Sequence, residues 1–132
     1  MTHYSLLTLA NRISQLSPGI GELAQLELCN LSSNNLREIP EEFSNLTSLT
    51  KLDLSNNAIT HLPDDIGNLF KCEVYDMCVN QVQVLPQSMC HMANLSIMRA
   101  NDNSLQEIPD CVKGWVSVMD LQMRNNKIRR IR

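Results

Sequence analysis

Aromatic residues and glycines are scarce in this chain of 132 residues. Phe, Trp and Tyr together make up 4% of it, and four glycines are spread along it. The core must therefore be built from aliphatic side chains, to which seven methionines and five cysteines contribute. No glycine-rich loop of the kind that cradles a phosphate is present.

Long apolar runs and an excess of basic charge are also missing. No stretch approaches the roughly 18 apolar residues of a transmembrane helix. The first residues, MTHYSLLTLANRIS, lack the basic start and sustained apolar core of a signal peptide. The formal net charge of −3 gives no overall positive field for nucleic acid. These absences predict a cytoplasmic domain that binds neither membrane nor nucleic acid.

The cysteines are odd in number and form no CxxC pair: they are Cys29, Cys72, Cys78, Cys90 and Cys111. We interpret them as thiols in a reducing compartment. In that compartment the three NxS/T sequons, at Asn30, Asn45 and Asn94, would not be glycosylated.

What the chain has instead is a repeat with a period of 23 residues. Asparagine recurs in register at Asn11, Asn34, Asn57, Asn80, Asn103 and Asn126. We place the starts of six units at His3, Leu26, Leu49, Cys72, Leu95 and Val118, and the last unit is partial. Since nothing interrupts this register, residues 1–132 are interpreted as one repeat domain.

The unit pattern LxxLxLxxNxLxxLPxxIxxLxx resembles the leucine-rich repeat. Its length matches the 23-residue class of intracellular Ras-suppressor-like and plant Ras-group proteins. This resemblance extends from His3 to the end of the chain. It implies an α/β repeat fold, a leucine-rich repeat solenoid with a curved parallel β-sheet on the concave face. Short 3₁₀ or extended return segments would form the convex face.

The residues support the same fold independently. Leu52 and Leu54 alternate with Asp53 and Ser55, which predicts a short strand with one buried face. The proline at Pro63 and the irregular apolar spacing after it leave no room for a long helix. One unit cannot bury its own leucines, whereas stacked units can.

The asparagine in the ninth place of each unit follows the strand, where backbone groups lose their partners in the sheet. Its amide can donate and accept hydrogen bonds there, so we assign all six asparagines to the framework rather than to a ligand site. In the resembling family they form a buried asparagine ladder. The eighth place varies, and we therefore expect the fold to leave it unconstrained; it holds Ala10, Ser33, Asn56, Val79, Asp102 and Asn125. Tyr75 occupies an inward strand position and is expected to find a partner for its hydroxyl or to lie at an edge.

Function is expected on the outward strand positions, because the framework does not use them. The predicted partner-binding surface consists of Lys51, Asp53, Asn56, Val74, Asp76, Cys78, Ile97, Arg99 and Arg124. An apolar centre with an acidic and a basic flank suits a protein or peptide partner; Val74, Cys78, Val79 and Ile97 would form that centre. The alternative is an ordinary solvated sheet face.

The last stretch, MRNNKIRRIR, concentrates basic residues. It either contacts a phosphate or an acidic partner or is a solvated end of the solenoid. The latter interpretation is favoured, because Ile128 and Ile131 already follow from the repeat register.

Nothing in the sequence favours catalysis. His3, His61 and His91 occupy different places in their units and do not converge. Cys90 and His91 are sequence neighbours, but a Cys–His nucleophile requires hydrogen-bond contact. No metal-ligand spacing occurs. We therefore predict no catalytic residue, metal or cofactor.

The sequence thus predicts a non-catalytic intracellular interaction module, a scaffold or adaptor in signalling that binds a protein partner through its concave face. One alternative is a regulatory segment of a larger kinase, phosphatase or ubiquitin ligase, since related repeats are often fused to such enzymes. A receptor ectodomain would require cystine-rich flanks and a signal peptide, which the sequence does not show. Because no amphipathic helix caps either end, we expect a larger chain, another subunit or a second copy to cover the ends.

Overall fold

The computed structural model describes residues 5–7, 12–108 and 110–131. Six short strands form one parallel sheet in the order β1-β2-β3-β4-β5-β7. These strands are β1 (Ser5–Leu7), β2 (Leu28–Asn30), β3 (Lys51–Asp53), β4 (Val74–Asp76), β5 (Ile97–Arg99) and β7 (Asp120–Gln122). Register partners on adjacent strands are always 23 residues apart, as in Lys51 with Val74. The predicted solenoid with a parallel sheet is confirmed.

Return segments connect the strands on the opposite side through short 3₁₀ helices. They are η1 (Pro18–Glu22), η2 (Glu41–Asn45), η3 (Ile66–Asn68), η4 (Gln87–His91) and η5 (Asp110–Gly114). Pro40 and Pro86 stand at the N-caps of η2 and η4, where a missing backbone N–H is tolerated. In the described ranges, no helix is long and apolar enough to cross a bilayer.

Two further strands, β6 (Glu107–Ile108) and β8 (Arg130–Ile131), pair in parallel within the return segments. A single β-bridge between Glu38 and His61 occupies the same place in earlier units. The convex side therefore has partial strand character in addition to its 3₁₀ turns.

The core lies between the sheet and the 3₁₀ helices. Leu52 and Leu54 are almost completely buried, whereas Lys51, the residue before Leu52 on β3, is exposed. Ile59, Leu62 and Ile66 bury their side chains from the return side, so each unit contributes to the core from both directions. Leu121 on β7 is the exception at an inward position, with 40% exposure, because β7 has a sheet neighbour on one side only.

Tyr75 differs from the expectation. Its side chain is completely buried, and its hydroxyl has no hydrogen-bond partner among the described residues. The expectation was wrong because the fourth place of the unit faces an aliphatic core, where the nearby backbone groups already pair within the sheet. Burial, and secondarily the Cys72 thiol, raises the pKa of Tyr75, so this phenol stays protonated.

Candidate functional site on the concave face of the sheet

The ninth-place asparagines line the edge where each strand turns into its return segment. Asn57 shows the geometry: its Oδ1 accepts the Leu36 N–H at 3.0 Å, and its Nδ2 donates to the Leu31 carbonyl at 3.0 Å. Both partners belong to the preceding unit, so the side chain joins two units. Asn80, Asn103 and Asn126 make corresponding bonds. Asn34 Oδ1 likewise accepts the Ile13 N–H of the preceding unit, and its Nδ2 donates to the Leu31 carbonyl of its own unit. Asn11 lies outside the described residues.

The burial of these side chains is not uniform. Asn34, Asn80 and Asn103 are each 7% exposed, whereas Asn57 and Asn126 are only partly buried. In all five, Oδ1 accepts a backbone N–H of the preceding unit. The row is therefore defined by this bond between units and not by complete burial.

The eighth place has a constrained backbone. Ser33, Asn56, Val79, Asp102 and Asn125 all have φ between 56° and 59°, in the left-handed region. The expectation that the fold leaves this place unconstrained was therefore wrong. Asn and Asp tolerate this region, while a β-branched residue such as Val79 is strained in it. Ala10 lies outside the described residues.

A second row of polar side chains caps the strands from the concave side. Asp53 Oδ1 accepts the Ser55 N–H at 2.9 Å and the Ser55 hydroxyl at 2.6 Å. Asp76 Oδ1 accepts the Cys78 N–H at 2.9 Å in the same way. Asn30 makes the equivalent bonds to Ser32. The fifth-place residues are thus partly structural, which the sequence analysis did not foresee.

A shallow hollow lies on this face over β2, β3 and β4. Its floor is largely apolar, and its rim carries two acidic and two basic side chains. The lining residues are Leu28, Cys29, Asn30, Lys51, Leu52, Asp53, Val74, Asp76 and Arg99. Five of the nine residues of the predicted partner-binding surface therefore meet at one place: Lys51, Asp53, Val74, Asp76 and Arg99.

Three charged residues on the rim lie side by side on adjacent strands. Asp53 and Asp76 are register partners on β3 and β4, and Asp76 is in turn the register partner of Arg99 on β5. The Arg99 guanidinium lies 4.0 Å from Asp76 Oδ2. At this distance and exposure the pair contributes little to stability. These side chains therefore remain available to a partner.

The other four predicted residues lie beyond the hollow. Ile97 is the register partner of Val74 and is partly buried. Asn56 is exposed at the turn after β3, where its N–H donates to the Cys78 carbonyl. Arg124 is exposed after β7, and its N–H donates to Asn101 Oδ1 at 2.7 Å.

Leu28 and Asn30 belong to the hollow, but the sequence analysis did not single them out. Leu28 is 41% exposed and supplies part of the floor, which shifts the apolar centre towards β2. The strand alternation could have identified both residues, since they occupy the same third and fifth places as Lys51 and Asp53.

The free thiols are poor nucleophiles. Burial raises the pKa of Cys29 and of Cys72 to about 12. Burial, followed by the hydrogen bond to Asp76, raises the pKa of Cys78 to about 11. Since the thiolate is the reactive form, these groups remain inert near neutral pH. Within the described residues, no cluster of three or more His, Cys, Asp or Glu side chains could hold a metal ion.

Cys90 is disulfide-bonded, which the cysteine spacings did not predict. The spacing rule fails here because successive return segments stack, as η4 does on η5, and bring distant parts of the chain together. The disulfide also removes Cys90 as a partner for His91 in a nucleophilic pair.

The basic C-terminal stretch does not reach the hollow. Lys127 and Arg129 are exposed in the return segment after β7. Arg132 lies outside the described residues, and a phosphate or acidic contact for this stretch stays an untested alternative.

Comparison with known proteins agrees with this geometry. A model of the leucine-rich repeat matches residues 5–59. The chain has the leucine-rich repeat fold. A leucine-rich repeat protein of Leptospira interrogans superposes with a TM-score of 0.87 at 29% identity, covering 92% of this chain and 31% of that one. No curated protein matches the sequence.

Plant receptors share the fold as well. The plant peptide hormone receptor RGFR1, solved in complex with RGF2, has a TM-score of 0.86 at 28% identity, covering 94% of this chain and 21% of the receptor. The leucine-rich repeat ectodomain of the receptor kinase SOBIR1 from Arabidopsis thaliana has a TM-score of 0.81 at 21% identity, covering 96% and 71%. This repeat chain thus spans about a third or less of the length of the first two structures.

Proposed function

We propose that this leucine-rich repeat chain is a non-catalytic interaction module, a scaffold or adaptor in signalling, that binds a protein partner through the concave face of its sheet. The observation that carries the proposal is the hollow over β2, β3 and β4. Its apolar floor and charged rim have the composition of a protein interface, in which an apolar centre is surrounded by polar groups. The side chains on its rim point away from the core.

The comparisons support a binding role without identifying a partner. The receptor RGFR1 was solved in complex with RGF2. A repeat solenoid also offers one continuous face built from equivalent positions of successive units, which suits an extended partner.

A matched pair of substitutions tests the proposal. Val74 is partly buried on β4 in the hollow, whereas Val84 is 59% exposed in a return segment. We expect Val74→Arg to weaken capture of the native partner at least tenfold, while Val84→Arg leaves it unchanged. Pull-down from the native cells with isotope-labelled quantification measures both. Equal capture by the two variants contradicts a concave binding site.

A regulatory segment of a larger kinase, phosphatase or ubiquitin ligase is the second candidate. The exposed side chain of Leu121 on β7 favours it, because this apolar surface suits a further unit or another chain. The reading frame of the native transcript decides between the two candidates: a catalytic domain fused to the repeats supports the regulatory segment.

Two compartments compete, each supported by one observation. The 23-residue period is that of the intracellular Ras-suppressor-like class and favours the cytoplasm. The disulfide at Cys90 favours an oxidising compartment instead, because disulfides are rare in the cytosol. Alkylation of the protein from native cells, followed by mass spectrometry, separates them. A cytoplasmic protein is expected to be alkylated at Cys90 without prior reduction.

A further inference from the structure

We propose that the concave face binds an extended segment of a partner that carries a basic and an acidic side chain three residues apart. The basic side chain lies in the hollow between Asp53 and Asp76, and the acidic one lies at Arg99 and Arg124. This inference rests on the proposed function, because it specifies the chemistry of the partner at the same face.

The shape of the hollow fits one long side chain. Its volume is about 280 Å³, and Leu28 and Val74 supply apolar lining beside the two carboxylates. Lysine and arginine have an apolar stem and a charged head, and they place the stem on apolar surface while the head stays with polar groups. A partner lysine or arginine can therefore cover the floor and reach Asp53 and Asp76 at once.

The two carboxylates can share one cation. Asp53 and Asp76 are register partners on adjacent strands, and adjacent strands lie about 4.8 Å apart. In both residues Oδ1 accepts the backbone N–H two residues further on, and this bond holds each carboxylate in a fixed orientation. Of these two aspartates, only Asp76 has an ion pair with a described residue, which is the long contact to Arg99.

The distance to the basic flank sets the spacing of the motif. Arg99 lies one strand beyond Asp76, and Arg124 follows β7, the next strand of the sheet. The midpoints of the acidic and basic pairs are thus about two strand spacings, or roughly 10 Å, apart. An extended chain in the polyproline II conformation rises about 3.1 Å per residue with about three residues per turn. Side chains three positions apart then point to the same side, roughly 9 Å from each other, and match this distance.

Lys51 is the rim charge that opposes a bound cation. It is exposed beside Asp53, lines the hollow and has no ion pair among the described residues. Its neutralisation by Lys51→Gln provides a test with the opposite sign, because binding should become tighter rather than weaker.

The experiment uses a random library of twelve-residue peptides displayed on phage and selected on the intact chain. Selected peptides are sorted by whether Val74→Arg, which adds bulk and a repelling positive charge to the hollow, abolishes their binding and Val84→Arg does not. Among these concave-dependent binders we expect enrichment of a basic and an acidic residue three positions apart, in either order along the peptide.

A consensus peptide is then compared with a version whose basic residue is replaced by methionine, using fluorescence anisotropy. The double variant Asp53→Asn, Asp76→Asn keeps the Oδ1 acceptors and removes the charges. We expect about tenfold weaker binding of the consensus peptide to this variant, about tenfold weaker binding of the methionine peptide to the unsubstituted chain, and no further loss when both changes are combined. Lys51→Gln is expected to tighten binding severalfold.

The outcomes separate the two proposals. Concave-dependent peptides without the charge spacing, or with equal affinity for the aspartate and asparagine forms, overturn this inference and leave the proposed function standing. A selection that yields only peptides insensitive to Val74→Arg contradicts both.

Discussion

Asn56 and Asn57 are adjacent and chemically identical, yet the fold uses them differently. Asn57 uses its side chain to join two units through Leu36 and Leu31. Asn56 instead matters through its backbone, which lies in the left-handed region, while its side chain is exposed. At the scale of single residues, position in the repeat therefore decides the role of a side chain.

The two asparagines should differ in their effect on stability. Asn57→Ala leaves the Leu36 N–H and nearby carbonyls without their partner, so we expect a loss of about 3 kcal/mol in the free energy of unfolding. Asn56→Ala should lose about 0.5–1 kcal/mol, because alanine is less tolerant of positive φ. Urea unfolding of both variants measures the difference. A larger loss for Asn56→Ala contradicts the assignment of the register.

Among the described residues with positive φ, Val79 is the only one with a β-branched side chain. Its φ is 59°, a region that β-branched side chains adopt only with strain, and its side chain is 44% exposed. Because Asn56 and Asn125 occupy the same place in other units, Val79→Asn should stabilise the chain by about 1 kcal/mol. Thermal and urea unfolding test this, with Val84→Asn as a control at ordinary φ. A destabilised Val79→Asn variant would mean that packing of the valine side chain stabilises the chain by more than the backbone strain destabilises it.

Sequence reasoning located the ninth place but not the constraint on the eighth. The ninth place requires a side chain that donates and accepts, so asparagine recurs and its period is visible. The eighth place requires only a positive φ, which serine, aspartate and even valine adopt here, and the sequence therefore shows variety instead of a pattern. The hydrogen bonds that Asp53 and Asp76 accept from the backbone could not be predicted for the same reason. Asn30 accepts the equivalent bond, so the fifth place of the unit does not require one residue type.

At the scale of elements, stacking of the 3₁₀ turns limits which residues fit. Gly67 in η3 lies against η4: its N–H donates to the Ser88 hydroxyl at 2.9 Å, and an added Cβ would lie 1.8 Å from the Ser88 carbonyl oxygen. The glycine is required here by close approach of two turns rather than by its backbone angles.

Gly67→Ala should therefore destabilise the chain by about 3 kcal/mol or more, since η3 and η4 must separate to admit the methyl group. Gly19→Ala is the matched control, because an added Cβ there meets nothing closer than the Ser17 hydroxyl at 3.4 Å. Circular dichroism melts compare the two variants. Equal melting temperatures would show that the turns do not pack this closely.

The main elements could be predicted because each follows from a strong local pattern. The alternation around Leu52 and Leu54 indicated a strand, and Pro63 with the irregular apolar spacing after it excluded a long helix. The small strands β6 and β8 could not be foreseen. They are two residues long, and their pairing arises only when the return segments of two units lie side by side.

At the scale of the whole molecule, the buried thiols should make stability depend on alkaline pH. The pKa of Cys29 and of Cys72 is raised from 9.0 to about 12. Above pH 9 the unfolded chain releases these protons while the folded chain keeps them, so stability is fully present below pH 9 and falls as pH rises towards 12.

From pH 9 to pH 10 each thiol should reduce the free energy of unfolding by about 1 kcal/mol. Urea unfolding at both values, for the unsubstituted chain and for the double variant Cys29→Val, Cys72→Val, isolates this contribution. The variant should lose about 2 kcal/mol less than the unsubstituted chain over this interval. Parallel pH profiles would show that the thiols ionise freely in the folded state.

The binding surface was the part of the whole that the sequence could least define. The repeat register predicted that Asp53, Val74 and Arg99 lie on one face of the sheet. The register of the paired strands puts them on the same face. The position of the hollow depends instead on the sizes of neighbouring side chains. Leu28 and Val74 supply its apolar lining, and the charged side chains of Lys51, Asp53, Asp76 and Arg99 surround them. Such a shape emerges only from the three-dimensional arrangement of several units.

Amide chemical shifts report directly whether a partner binds at the concave face. The ¹⁵N-labelled chain is titrated with the concave-dependent consensus peptide, and shift changes are mapped residue by residue. We expect the largest changes to cluster at Leu28, Asp53, Val74, Asp76 and Arg99, while η2, η3 and η4 remain unchanged. Changes confined to those 3₁₀ helices would contradict binding at the concave face.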